Sequence, residues 1–169
     1  MISRARRAIN WLGEHHSQYG FSKTNIHVIG HSAGAHLLAC AISPSIQDFD
    51  GSALVTRPKR AILIGGIYDL EPISQTYVND PLKLSILSAR ALSPQFYDID
   101  PLVALDIVYA EYETNEFIRQ SKAYAEKCST IVSPIKLTEV ENRHHFDIMY
   151  DIANTDSGLF QQLSAFQDK

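Results

Sequence analysis

The residues best suited to chemistry are Gly30-His31-Ser32-Ala33-Gly34, a G-x-S-x-G pentapeptide. A serine hydroxyl is a weak nucleophile until a tight turn lifts it clear of the chain and a base takes its proton. That turn joins a strand to a helix through strained backbone, where flanking side chains would collide with neighbouring backbone. Gly30 and Gly34 are therefore expected to relieve the crowding. The following helix aims unpaired N–H groups and its positive dipole end at the serine, which places the Ala33 amide to donate to a developing oxyanion. The pentapeptide alone is generic. A strand directly before it and a helix directly after it identify Ser32 as a candidate nucleophile.

Such a serine needs a base, and the base needs an orienting carboxylate, on loops after later strands in the order serine, acid, histidine. His145, within His144-His145-Phe146-Asp147, satisfies that order, with His144 its rival. His27 falls in an apolar strand and His36 in a buried-looking helix, where a core role is simpler, and His15 and His16 are expected at or near the surface. His31 precedes the nucleophile and is a candidate substrate contact, with packing an equal reading. For the acid, Asp69, Glu111 and Glu113 all follow expected strands, and spacing does not choose among them.

The elements that must position these groups follow from hydrophobic period. Ala5, Ala8, Ile9, Leu12, His16 and Tyr19 mark an amphipathic first helix stopped at Gly20. Residues 25–29 form a buried strand, and residues 33–42 an alanine- and leucine-rich helix ended by Pro44. Residues 43–59 are a polar connection. Residues 60–66 form a second apolar strand. Residues 67–101, with prolines at 72, 81, 94 and 101, are an excursion over the sheet carrying short helices near 81–87 and 88–92. A third strand spans 103–110, and Phe117, Ser121, Tyr124, Ala125 and Cys128 mark the inner face of the next helix. A fourth strand spans 135–140. A last helix, 158–167, is capped by Asp156 or Ser157 and turns Leu159, Phe160, Leu163 and Phe166 inward. Continuous apolar strands alternating with helices predict a parallel sheet covered on both faces, in one domain over 1–169.

Composition narrows the class. The chain has 169 residues, 45% hydrophobic and 20% charged, with formal charge −4, which is globular composition without a basic face for nucleic acid. No apolar run approaches the roughly 18 residues of a membrane helix, and the basic N-terminus is unlike a signal peptide, so a cytoplasmic location is the expectation. Cys40 and Cys128 stand far apart without C-x-x-C spacing and are expected as buried hydrophobes.

Several segments resemble, in order, the kynurenine formamidase (arylformamidase) family of α/β-hydrolases. They are residues 30–36, Ile67-Tyr68-Asp69-Leu70-Glu71-Pro72, residues 77–84 (Tyr-Val-Asn-Asp-Pro-Leu-Lys-Leu), Ala91-Leu92-Ser93-Pro94, Glu116-Phe117 with Arg119-Gln120-Ser121, and His145-Phe146-Asp147. The resemblance implies the α/β-hydrolase fold and hydrolysis of N-formyl-L-kynurenine to kynurenine and formate in tryptophan breakdown. It implies Ser32 as nucleophile, His145 as base and Glu113 at the acid position, where the family usually has aspartate. His144 stands where the family often has aspartate too. His31, Tyr77 and Asn79 are the expected substrate contacts. No metal or organic cofactor, no nucleic acid and no membrane is implied, and a homodimer is the assembly to test.

Members of this family begin with further strands and a His-Gly-Gly turn supplying a second oxyanion donor, worth about 2.7–4 kcal/mol in the transition state. Gly65-Gly66 follows the wrong strand to replace it. The chain is therefore expected to carry the C-terminal half to two-thirds of the fold, with residues 25–29 an exposed apolar edge prone to aggregation. Two alternatives stand beside the formamidase reading: a carboxylesterase acting on small acyl esters, and a catalytically weak remnant serving as an interaction module.

Overall fold

A computed structural model describes residues 1–46 and 51–165. Its elements are α1 (Ile2–Tyr19), β1 (His27–His31), α2 (Ala33–Ala41), β2 (Arg60–Ile64), α3 (Glu71–Ser74), α4 (Asn79–Leu82), α5 (Ile86–Ala91), β3 (Ala104–Ala110), α6 (Asn115–Ser129), β4 (Ile135–Val140), α7 (Ile148–Ala153) and α8 (Gly158–Ser164). The strands form one parallel sheet in the order β1-β2-β3-β4. This is the parallel sheet with helices on both faces that the hydrophobic pattern predicts, and it fits the fold that the family resemblance implies.

Because side chains alternate across a strand, the continuous apolar runs feed two cores. Ala61, Leu63, Leu105 and Ile107 face Ala35 and Ala39 of α2 and Tyr124, Ala125 and Cys128 of α6. On the opposite face Ile62, Ile64, Val108 and Ala110 pack on Ile148 of α7 and Leu159 and Leu163 of α8. Among the described residues β1 pairs on one side only, with β2, and Ile29 is 50% exposed, as expected of an edge. The strand begins two residues later than the apolar run and continues to the residue before Ser32.

The excursion differs from its expectation. Helices occupy 71–74, 79–82 and 86–91 rather than 81–87 and 88–92. Lys83, at φ 52°, ends α4, and the Ser85 hydroxyl, accepting from the Ser88 amide, starts α5. Helix α7 is too short for its six residues to show a period. Ser157 caps α8 by accepting the Phe160 amide at 2.9 Å, while Phe166 and Gln167 lie outside the described residues.

Helix α1 turns inward most of the face its apolar spacing predicts, with Ile9 buried and Ala5, Leu12 and His16 half-buried. Its buried residues are Ile2, Ser3, Arg6, Ile9 and Gly13, while Ala8 and Tyr19 are exposed. Helix α1 packs against α2, whose last carbonyls lack intrahelical donors. Arg6 supplies them, donating to Cys40 O (3.2 Å) and Ala41 O (2.9 Å), and also to Ser43 O and Ile46 O (2.8 Å each). These acceptors are thus met by a cation at a helix C-terminus, where the helix dipole favours positive charge.

Arg6→Met keeps the apolar stem but takes the side-chain donor away from four buried carbonyls. It should lower unfolding stability by about 3 kcal/mol, read as a fall in the urea midpoint at unchanged m-value; a loss below about 1 kcal/mol would contradict this account.

Candidate active site

The carboxyl ends of all four strands meet along one rim, where side chains from successive loops converge in a parallel sheet. Ser32 leaves β1 at φ 56°, ψ −119°, a sparsely populated conformation that costs about 1–3 kcal/mol and persists only when neighbours over-determine it. Its amide donates to Ile64 O at 2.8 Å, extending the β1–β2 ladder by one residue, and its carbonyl accepts from the His36 amide at 3.1 Å. A Cβ on Gly30 would lie 2.5 Å from Gly34 O and 2.8 Å from Ala35 N, so glycine at 30 lets α2 start against its own strand. A Cβ on Gly34 would meet nothing within 4 Å among the described atoms, which corrects the expectation that both glycines relieve a clash. Ala33 is the first residue of α2 and is exposed, so its amide belongs to the turn whose N–H groups have no intrahelical partner.

His145 Nε2 lies 2.9 Å from Ser32 Oγ, and His145 Nδ1 lies 2.9 and 3.0 Å from the two Glu113 carboxylate oxygens. The Glu113 side chain is 1% exposed and that of His145 18%. A carboxylate accepts only, so Nδ1 carries the proton and Nε2 presents its lone pair to the hydroxyl. The rings of Phe117 and Phe146 stand 4.6 and 5.1 Å from the His145 ring.

The other candidates are committed elsewhere. Glu111 accepts the Asn142 amide at 2.7 Å, and Asp69 accepts the Glu71 amide at 2.9 Å. Of the three carboxylates, Glu113 is therefore the one that reaches the histidine. His144 closes the turn that carries its neighbour: its Nδ1 accepts from the Phe146 and Asp147 amides, and its own amide donates to Asp147 Oδ1. Arg143 fastens the same loop to α7 through two 2.8 Å bonds to Asp151.

The two expected contacts of the excursion part ways. Tyr77 is 84% exposed. The Asn79 amide nitrogen donates to Ser74 O and Leu84 O, and its oxygen accepts the Leu84 amide, so that side chain organises the excursion itself. His31 touches His145, with its ring 4.7 Å away. His36 bonds Ile67 O at 2.9 Å, and burial lowers its pKa. Burial pushes the thiols of Cys40 and Cys128 up to about 12 and about 11, so neither presents a thiolate beside the serine. Among the described residues no cluster of His, Cys, Asp and Glu side chains is placed to hold a metal ion, and no helix is long and apolar enough to cross a membrane.

Two features escape sequence reading. Gly65, at φ 51°, has no room for a Cβ, which would lie 2.8 Å from Glu113 Oε1 and 3.1 Å from His145 Nδ1. Its only signal is its place after an apolar strand. The segment around Gln120 also acquires a physical meaning: the Gln120 amide oxygen accepts from Tyr68 N and Asp69 N, and its nitrogen donates to Asp69 O and Glu116. It pins the loop after β2 to α6, three residues from the Phe117 ring. Glu116 is held below the usual carboxylate range by its Arg119 partner.

The profile of the BD-FAE family matches residues 1–81. The chain is similar to the kynurenine formamidase of Salmo salar, 34% identical over 100% of this chain and 57% of that protein. It is likewise similar to the kynurenine formamidase of Danio rerio, at 30% over 91% and 52%. The chain thus spans about half the length of the curated relatives it matches. The resemblance read from the sequence segments is borne out. Among solved structures, Thermogutta terrifontis esterase 2 phosphoramylated by tabun superposes with a TM-score of 0.67 at 20% identity, over 95% of this chain and 59% of that one.

Gly65→Ala should push the carboxylate and imidazole apart while leaving the sheet intact. Labelling of Ser32 by a fluorophosphonate should slow by at least about tenfold, because displacements near 1 Å at reacting groups cost up to about 10² in rate. An undiminished labelling rate would show that the pair tolerates the methyl.

Proposed function

We propose, for a chain with the α/β-hydrolase fold that is similar over its length to proteins named kynurenine formamidase, that it is a serine hydrolase cleaving the N-formyl amide of N-formyl-L-kynurenine. The observation that carries the reading is the unbroken hydrogen-bonded line from buried Glu113 through His145 to Ser32. The names of the relatives point to the substrate.

In this mechanism Ser32 Oγ attacks the formyl carbon while His145 Nε2 takes its proton. The carbonyl oxygen becomes an oxyanion facing the Ala33 amide and the N-terminus of α2. His145 passes the proton to the departing aryl nitrogen, leaving formyl-Ser32. Water, deprotonated by His145, then releases formate and restores the serine. Glu113 keeps Nδ1 protonated and stabilises the imidazolium of each step. The place of this reaction is tryptophan breakdown.

The solved esterase relative supports a second reading, a carboxylesterase on small acyl esters. Turnover of short p-nitrophenyl esters with none of N-formyl-L-kynurenine would favour it. A folded chain with neither activity would favour the interaction-module reading.

Kynurenine release from N-formyl-L-kynurenine should vanish in Ser32→Ala. Glu113→Gln should lower kcat by about 10²–10⁴, since an amide there favours the wrong tautomer. Glu111→Gln and Asp69→Asn should stay within about threefold, because their carboxylates serve backbone amides away from the imidazole. The reverse ranking would reassign the acid.

A further inference from the structure

We infer that His31 is a positioning residue for the base: its imidazole anchors the backbone of His145, and through it the ring that must reach Ser32. The inference rests on the serine-hydrolase reading.

Register places it there. His31 pairs with Ile64 and Ile29 with Ile62, so these four side chains share the sheet face that also carries α7 and α8. The β4–α7 loop crosses the end of that face on its way to Ile148. His31 Nε2 meets the His145 carbonyl there at 2.7 Å. A carbonyl only accepts, so Nε2 carries the proton and the imidazole acts as a donor.

Residues 31 and 32 therefore grip the same histidine at two points, the first at its backbone oxygen and the second at its Nε2. The ring of His145 turns about bonds that begin at its own backbone, so Nε2 holds its place only if that backbone does. Glu113 fixes the far nitrogen, and Phe117 stands 4.6 Å from the ring, but neither of them holds the main chain. Arg143 fastens the loop two residues earlier and α7 three residues later. His31 supplies the tie at the residue itself. A side chain occupied in this way is not a free substrate donor at Nε2.

Three variants separate the roles. Gln can reach the carbonyl with its amide nitrogen, whereas Asn is too short and Leu fills the space without donating. Fluorophosphonate labelling of Ser32 reports the serine–histidine pair without formamide recognition. It should slow about tenfold in His31→Leu and His31→Asn and stay within about threefold of wild type in His31→Gln. On N-formyl-L-kynurenine the loss should fall on kcat with KM within about twofold. Labelling of His31→Asn at the wild-type rate overturns the inference, as does a rise in KM alone, which would make His31 a substrate contact. A wild-type chain that fails to label at Ser32 overturns the hydrolase reading itself. Wild-type labelling with unaffected variants overturns only the role of His31.

Discussion

The constraint on which the site depends is the backbone of Ser32, held at φ 56°, ψ −119°. A lone residue would relax from that conformation, so the surroundings must hold it on both sides. The Ser32 amide is caught by Ile64 O on β2. The chain beyond is caught by α2, which lies close against β1 because position 30 has no Cβ and because Ala35 and Ala39 are small and fully buried. Arg6 then closes the far end of α2 from α1. The first helix, remote from the chemistry, thus helps hold the helix whose N-terminus faces the serine hydroxyl.

Much of this was legible from residue types alone. Val28-Ile29 and Ala61-Ile62-Leu63-Ile64 are branched, apolar and short, and they became strands; residues 135–140 became β4 with the expected bounds. The elbow was legible because its local chemistry is almost self-contained. What stayed hidden depends on contacts between distant loops. By spacing Glu111 and Glu113 are equivalent, and only the segment resemblance favoured Glu113; the crossing of the β3 and β4 loops turns one toward Asn142 and the other toward His145. Gly65 reads as a turn residue until the two side chains that occupy its missing Cβ position are known. Arg6 was hidden for another reason: hydrophobic period ranks a cation as outward-facing, and its carbonyl partners lie 34 to 40 residues away.

The excursion between β2 and β3 shows how a recognisable segment can be scaffolding. Asn79 uses its whole amide to hold residues 74–84 in shape, and Gln120 does the same for the loop at 68–69. Both belong to segments that carry the family resemblance. Their side chains are spent on these bonds, most of them to backbone groups. The Glu113–His145–Ser32 line lies on other side chains, next to the loops that this scaffolding holds.

Edge strands fray, and β1 is an edge strand among the described residues. Fraying would ordinarily separate a hydroxyl at the strand end from an imidazole on a distant loop. Here adjacent residues of the same strand end hold both the carbonyl and the imidazole nitrogen of His145. A small excursion of the edge would carry the loop along with it, so that the Ser32 Oγ–His145 Nε2 distance changes less than either position does. The vulnerable border of the sheet and the hydroxyl–imidazole contact are thus tied together, which would turn relative displacement into common drift.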